Sequence, residues 1–334
     1  MDGDFARGVS YEISYGKLRV PLYRVYASPL SGVPPIPESA FTGRPNTLVG
    51  LEIDLEVFGE SFLPAYTEGD NSRVVATDSM KNVILQQTLT YGGATMEGLL
   101  AHLGSYFLGT YDDMERLRLT ARELPFAPVQ VPAQDHQRFT ESAVLFERNH
   151  GSYSTATLSM ERGEQGSVVI TDHRCGRSGL ELLKVTGSSF TRFVRDANTT
   201  LPERGDRPLF IEIDVSWRYA DTADMLATDH SRYVPAEQIR DLAQTVFHEF
   251  VSESIQHLAH EMGTRILARF PQLGEISFEA HNRTPDPVAT SATDPRIKVY
   301  SSPFPAYGLI RLTLRRDAQS DDTQPKQPGP EEAS

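Results

Sequence analysis

One order of local patterns occurs twice along this 334-residue chain. Thr47–Glu60 and Leu209–Tyr219 alternate apolar and polar residues, a period of two that is typical of half-buried strands. Each precedes two segments with apolar residues at helical spacing, which predict helices at Asp78–Leu89, at Thr95–Tyr111, from about Pro235 and from about Ser254. This repeated order of hairpin, helix pair and hairpin predicts an α+β fold, in which antiparallel sheets carry helix pairs on one face.

Further strand-like segments occur in both halves. They lie at 11–27, with a kink at Gly16 and Lys17, and at 115–124, 136–148, 153–161, 167–172, 182–190, 274–283 and 306–315. The repeat predicts a first domain at 1–172 and a second at 173–316. Residues 317–334 are rich in Asp, Gln, Pro and Glu, which predicts a disordered tail.

Charge and cysteine content argue against several classes of function. The chain carries 32 Lys and Arg against 45 Asp and Glu, and this net charge of −13 argues against non-specific binding to nucleic acid or to an anionic membrane. Its single cysteine, Cys175, cannot form an intramolecular disulfide. No apolar run approaches the roughly 18 residues of a membrane span. We therefore expect a cytoplasmic protein with neither nucleic acid nor membrane as a partner.

Common cofactor motifs are missing from the sequence. It contains no Walker loop, no GxGxxG and no HExxH, which argues against a P-loop or Rossmann enzyme. Nine histidines are scattered singly, and their local spacing does not assemble a set of metal ligands. No metal site is predicted.

Two features of the first half have possible chemistry. In AYTEGDNSRVVATDSMKN, residues 65–82, Asp78 is a good N-cap for the predicted helix, and Thr77 lies where free N–H groups favour an anion. Lys17 follows Gly16 at a strand irregularity, and burial can lower a lysine pKa until the amine acts as a base. On local sequence alone, a structural cap and a solvated lysine are the commoner interpretations.

The second half offers groups suited to a flat, oxygen-rich anion. Arg207 carries a planar fork, Gln256 an amide that donates and accepts, and Phe190 a ring for stacking. The ordinary alternatives are an ion pair of Arg207 with Asp206, a solvated Gln256 and a core position for Phe190.

A predicted strand near the end of the chain adds two polar groups. Asn282 and Thr284 share one face of this strand, whereas His281 points to the other face. Taken singly, none of these residues identifies a function.

Taken together, the segments resemble the urate oxidase (uricase) family. The matching strings are SYGKLRV, AYTEGDNSRVVATDSMKN, LKVTGSSFTRFVRDANTTLPERGDR, SIQHLAHEMGTRILARFP and YGLIRLTLRR. They occur in the family's order between about residues 14 and 316. The resemblance implies two tandem T-fold domains in a homotetramer with active sites at subunit interfaces. It also implies oxidation of urate, or a close purine-like heterocycle, by O2 and water to 5-hydroxyisourate and hydrogen peroxide, with no cofactor.

The resemblance assigns the substrate-binding residues by position. Phe190 matches the aromatic that stacks on the substrate, and Arg207 and Gln256 match the pincer that holds its edge. Ile255 matches the residue whose backbone N–H lies beside that glutamine. Asn282 matches the amide that holds dioxygen or the attacking water.

The catalytic residues are assigned in the same way. Lys17 matches the base that acts through Thr77, and Thr77 and Asp78 match the pair supplied by a neighbouring subunit. Thr284 stands where the family pattern has the histidine of a proton relay. Because loss of a general acid or base costs about 10²–10⁴-fold, this departure matters for turnover.

Two other functions remain open at this point. Thr284 favours a catalytically weak T-fold protein that binds a planar heterocycle without turnover. Pterin processing is another T-fold chemistry, but it usually holds the heterocycle with a Glu, whereas Arg207 and Gln256 suit an oxygen-rich anion better.

Overall fold

The computed structural model describes residues 9–283, 285–301 and 306–317. The strands are β1 (Ser14–Val25), β2 (Leu48–Phe58), β3 (Arg116–Glu123), β4 (Phe126–Pro132), β5 (Phe139–Arg148), β6 (Tyr153–Arg162), β7 (Val168–Lys184), β8 (Leu209–Tyr219), β9 (Leu273–Asn282), β10 (Pro287–Thr290), β11 (Lys298–Tyr300) and β12 (Gly308–Arg315). The helices are α1 (Leu63–Thr67), α2 (Thr77–Thr90), α3 (Met96–Thr110), α4 (Thr222–Leu226), α5 (Ala236–Glu249) and α6 (Ile255–Arg269).

A single antiparallel sheet connects both halves of the described chain. Its order is β1-β2-β3-β6-β7-β8-β9-β12, and every neighbouring pair is antiparallel. Helices α2 and α3 follow the first hairpin, and α5 and α6 follow the hairpin of the second half. Each half also inserts a small two-stranded sheet, β4-β5 or β10-β11, before its last strand. The predicted α+β class and the repeated order are confirmed.

The core lies between the sheet and the helices because the strands alternate. In β2, Ile53, Leu55 and Val57 are fully buried against the helical layer. The intervening Glu52 and Asp54 face the other side, where both form ion pairs with Arg122 of β3. This alternation makes one face apolar and the other charged, as a period of two requires.

The predicted kink in β1 is a β-bulge. The register with β2 shifts between Lys17 and Val20, and Arg19 has a φ of 56°. A Cβ on Gly16 would lie 1.9 Å from the carbonyl oxygen of Leu55, so this close approach of two backbones requires glycine. The bulge sits on an edge strand, which also accommodates Pro21.

Several local predictions differ from the structure. β7 runs through residues 172 and 173, because pairing with β6 carries it across the predicted domain boundary and pairing with β8 continues it beyond. Division into two domains therefore stays a prediction. β4 was not predicted, since Pro128 interrupts its pattern. Asp78 is not the N-cap of α2: Ala76 holds that position, and Asp78 lies in the first turn.

Residues 28–46, which we call the strap, cross from the first half to the second. The side-chain amide of Gln238 in α5 donates to the carbonyls of Pro34 and Phe41 at 2.8 and 2.9 Å. Arg44 donates to Glu237 at 2.8 Å. The strap, which is the connection between β1 and β2, is therefore bound to the start of α5.

Among the described residues, no helix combines the length and the apolar character needed to cross a bilayer. The predicted tail at 317–334 lies almost wholly outside the described residues.

Candidate active site in two parts

The first group of predicted site residues gathers where β7 ends and β8 begins. Beyond β7, the N–H of Ser189 donates to Ser252 at 2.8 Å, just before α6. The N–H of Arg207 donates to Ser188 at 2.8 Å, and Phe190 and Arg204 exchange two backbone hydrogen bonds. These bonds bring three parts of the chain that are distant in sequence to the end of the sheet where β7 ends and β8 begins. We call Phe190, Arg207, Ile255, Gln256 and Asn282 the clamp.

Arg207 is buried against the ring of Phe190. The residue is 8 % exposed, and its guanidinium carbon lies 5.3 Å from the centroid of that ring. Its Nε has no hydrogen-bond partner among the described residues. Burial, and then the charge of Arg204, lowers the pKa of Arg207. A buried donor near a second guanidinium favours an anionic ligand.

The alternative role of Arg207, an ion pair with Asp206, is replaced by another arrangement. The Asp206 carboxylate accepts from the hydroxyl of Thr186 at 2.7 Å and from the N–H of Gly187 at 2.8 Å. The Thr186 bond is the largest cause of the lowered pKa of Asp206. Asp206 therefore holds the loop in place and leaves the fork of Arg207 available for a ligand.

Helix α6 supplies the other arm of the clamp. Ser254 caps it by accepting from the N–H of His257 at 3.1 Å, so Ile255 and Gln256 are its first two residues. Ile255 is buried and Gln256 is exposed. First-turn N–H groups have no carbonyl partner within their own helix, so the backbone of Ile255 and the amide of Gln256 are placed to bind one edge of a ligand together.

Asn282 is the last residue of β9 and lies at this same end of the strands. It is paired in register with Ile211 of β8, and the N–H of Arg283 donates to Phe210 at 3.0 Å. The start of β8 follows Arg207 closely in sequence, so Asn282 lies beside the strand that leaves the clamp. Thr284 falls outside the described residues, and its predicted place next to Asn282 stays a prediction.

His281 faces away from Asn282, as the strand alternation predicts. Its Nδ1 lies 3.6 Å from Glu212 and its Nε2 lies 3.4 Å from Glu279. Its ring stacks on Tyr307 with centroids 4.3 Å apart. These contacts hold His281 on the charged face of the sheet, where it does not take the place of a histidine beside Asn282.

The second group is Lys17, Thr77 and Asp78, which we call the base group. Thr77 begins α2, and both Thr77 and Asp78 are exposed. The hydroxyl of Tyr15 accepts from the N–H of Val75 at 3.1 Å and so joins the β1 bulge to the segment before α2. The lowered pKa of Asp78 comes first from a hydrogen bond with Lys81, and Lys17 adds to it through its charge. Lys17 thus lies within electrostatic reach of this helix start.

One chain does not bring the two groups together. β1 and β9 are the first and seventh strands of the sheet, which at about 4.8 Å per strand separates them by about 29 Å measured across it. β1 and β9 run in the same direction, yet Lys17 lies near the start of β1 and Asn282 at the end of β9. The 10 residues of β9 add about 30 Å along the strands. A site containing both groups requires two chains.

Among the described residues, the predicted site residues belong to no metal-binding cluster and do not line the cavity under α3 and the strap. In the described part of the chain, no three His, Cys, Asp or Glu side chains are arranged to hold a metal ion. A cavity of about 210 Å³ lies under α3 and the strap, between Arg44, Glu97 and Tyr233. No residue of the clamp or of the base group lines it.

Phe193 was not predicted from the sequence as a site residue. Its ring lies parallel to that of Phe190, with 4.9 Å between centroids and 11° between planes. The Phe-x-x-Phe spacing in SSFTRFVRD is the sequence signal that points to it.

The sequence of this chain is similar to those of known proteins. The model of the Uricase family matches residues 60–152 and 173–311. The chain is 49% identical over 272 residues to a uricase of Haloferax volcanii, covering 81% of this chain and 88% of that protein. It is 45% identical over 312 residues to the uric acid degradation bifunctional protein PucL of Bacillus subtilis, covering 93% of this chain but only 63% of that longer protein.

The fold is also similar to that of a solved structure. The urate oxidase of Bacillus sp. TB-90 superimposes with a TM-score of 0.89 at 43% identity, over 91% of this chain and 100% of that chain.

Proposed function

This chain belongs to the uricase family, and from that premise we propose that it oxidises urate with O2 and water to 5-hydroxyisourate and hydrogen peroxide. The observation that carries the proposal is the buried guanidinium of Arg207 against the ring of Phe190, with an Nε that has no hydrogen-bond partner in the described part of the chain. A flat anion of urate's size satisfies both groups at once, since it offers oxygens at its edge and a π-face for stacking.

In the proposed complex the clamp orients the substrate. Urate stacks on Phe190, while Arg207 and Gln256 hold opposite ends of its edge and the N–H of Ile255 donates beside the glutamine. Asn282 holds dioxygen, and later the attacking water, over the ring. Orientation of this kind converts a collision of three molecules into a reaction within one complex.

The base group completes the site from a neighbouring chain. Lys17, acting through the hydroxyl of Thr77, removes a proton from the urate monoanion. The resulting dianion is electron-rich and gives two electrons to O2 by way of a peroxide at C5, with no cofactor. Water then replaces this peroxide and H2O2 leaves, so urate, O2 and H2O give 5-hydroxyisourate and H2O2. Asp78 fixes the start of α2 through Lys81 and Asn82.

Assembly is part of the proposal, because the clamp and the base group are far apart in one chain. We place them together in a homotetramer of tandem T-fold chains, with each site at a subunit interface. The free outer edges of β1 and β12 leave room for a second chain at both ends of the described sheet.

Thr284 takes the relay position in this scheme. Its hydroxyl, with bound water, passes the proton that a histidine passes in the family pattern. His281 is not the substitute, because Glu212, Glu279 and Tyr307 hold it on the other face.

One assay on the full chain tests the proposed function. In oxygenated buffer with a metal chelator, we expect the urate absorbance to fall while one H2O2 forms per O2 consumed. Anaerobic urate binding is measured on the same sample. Tight binding without oxygen uptake supports the alternative, a catalytically weak binder, and absence of both binding and turnover in a folded oligomer overturns the proposal.

A further inference from the structure

The clamp ring, that of Phe190, has a parallel ring and a guanidinium group close to it. Arg207 lies against Phe190, Phe190 lies parallel to Phe193, and the guanidinium carbon of Arg195 lies 5.4 Å from the centroid of Phe193. Each of the two parallel rings thus has one guanidinium group near it. Parallel offset rings and cations over ring faces are both attractive arrangements.

Local backbone geometry builds this stack. Arg192 has a φ of 61°, a left-handed conformation that turns the chain back between the two phenylalanines. Glu203 accepts from the N–H of Arg192 at 2.8 Å, and Glu253 accepts from its guanidinium at 2.8 Å. Arg195 is held by its own hydrogen bond to the carbonyl of Leu201 at 3.0 Å. Several contacts therefore fix a turn that has no regular secondary structure.

The two rings differ in what holds them. The backbone of Phe190 is fixed by its exchange with Arg204, but those hydrogen bonds leave the orientation of the ring free. Phe193 covers one face of that ring, so a heterocycle can stack only on the opposite face. Both residues are half-buried.

We infer that Phe193 is a positioning residue for the proposed urate site: it sets the plane of the Phe190 ring before substrate arrives. The inference rests on the proposed function. A tilted ring would tilt the stacked heterocycle and move its edge away from Arg207, and a misplacement of about 1 Å can cost about 10²-fold in rate. A preset plane also removes the entropy cost of ordering the ring on binding.

The test compares Phe193→Leu with Phe193→Tyr in the full-length oligomer. Leucine keeps an apolar side chain but loses the flat face, whereas tyrosine keeps it. We expect anaerobic binding of urate to weaken about tenfold in the leucine variant and kcat to fall as well. The tyrosine variant should recover both to within about twofold of the parent. The hypochromic change in urate absorbance on binding, a signature of stacking, should shrink only in the leucine variant.

Val194→Ala is the matched control, because Val194 lies between Phe193 and Arg195 in the sequence and its side chain is 90% exposed. If Phe193→Leu does not fold, Arg195→Met keeps both rings and removes the outer cation, with an expected twofold to threefold loss of urate binding. Parent-like binding and kcat in the folded leucine variant, or in the methionine variant, overturn the inference while leaving the proposed function intact. A parent that neither binds nor oxidises urate overturns both.

Discussion

Glu97 shows how burial sets the chemistry of a single residue. It is 3 % exposed in the first turn of α3, and the hydroxyl of Tyr233 donates to its Oε2 at 3.0 Å. Burial raises the pKa of Glu97 above its ordinary value of 4.5. The nearby Glu123 has the opposite shift: burial raises its pKa, but Arg44, Ser154 and Arg177 outweigh burial and lower it. The two carboxyls differ because Arg44, Arg177 and Ser154 together outweigh burial at Glu123, whereas burial outweighs the charge of Arg44 at Glu97.

The raised pKa of Glu97 predicts a pH-dependent stability. Above about pH 4.5 the unfolded chain loses this proton while the folded chain keeps it, so the free energy of unfolding falls as pH rises, by up to about 1.4 kcal/mol per pH unit. Glu97→Gln keeps the acceptor and removes the titration. We expect the thermal midpoint of this variant to be close to that of the parent near pH 4.5 and to exceed that of the parent at pH 8. An unchanged pH dependence, or an equal effect of Glu164→Gln at an exposed position, contradicts this account.

Lys17 and Thr77 are the residues on which turnover should depend most. Lys17→Met and Thr77→Ala remove the proposed proton path but no contact of the clamp, so kcat should fall about 10²–10⁴-fold while KM changes only a few-fold. Steady-state kinetics of urate loss measures both constants. Thr90→Ala, at the far end of α2, is the control and should resemble the parent. A large rise of KM with unchanged kcat would place these residues in substrate binding instead.

At the scale of elements, the strap joins the two halves through hydrogen bonds rather than through a large apolar surface. Its small cluster of Leu30, Val33 and Tyr233 is separate from the main core. Arg269 of α6 adds a contact to Glu38 at 2.6 Å, and Ser39 donates to Asp241 of α5 at 2.5 Å. The strap therefore stabilises α5 and α6 against the first half.

Gln238 is the most buried of the residues that bind the strap, at 1 % exposure. Its substitution therefore tests how much the strap contacts stabilise the fold. Gln238→Leu removes the donor for the carbonyls of Pro34 and Phe41, and leaving buried acceptors unpaired costs about 1–3 kcal/mol each. We expect a lower thermal midpoint and faster proteolysis within 28–46. Gln244→Leu, at an exposed position of the same helix, is the matched control. Equal effects of the two substitutions would show that the strap contacts are not the cause.

For the whole molecule, the separation of clamp and base group predicts complementation between chains. Lys17→Met chains keep the clamp and Arg207→Leu chains keep the base group. In mixed oligomers, random assembly of these two chains gives about a quarter of interfacial sites both intact halves. We therefore expect up to about a quarter of parental activity from co-expressed chains, each of which is nearly inactive alone.

A second mixture provides the control for this experiment. Lys17→Met and Thr77→Ala chains damage the same half of the site, so no assembly of them restores an intact one. Recovery in this mixture, or lack of recovery in a proven mixed oligomer of the first kind, would contradict a site shared between chains.

Much of this protein follows from local sequence, because local rules decide it. Alternation fixed which faces of β2, β8 and β9 are buried, and helical spacing located α2, α3, α5 and α6 to within a few residues, since both depend on neighbours close in the chain. The strings around Lys17 and Phe190 identified the family, which the comparisons confirm.

Tertiary structure decided what depends on residues distant in sequence. Pairing with two neighbours made β7 one strand across a predicted boundary, and the backbone of Ala76, not the side chain of Asp78, begins α2. The strand order of the sheet, which no local pattern encodes, separates the clamp from the base group by many strand widths. Hydrogen bonds of Asp206 with Thr186 and Gly187 left the fork of Arg207 available, and a left-handed turn at Arg192 stacked Phe193 on Phe190. The sequence by itself determined which chemical groups are present, and long-range strand pairing determined which of them meet.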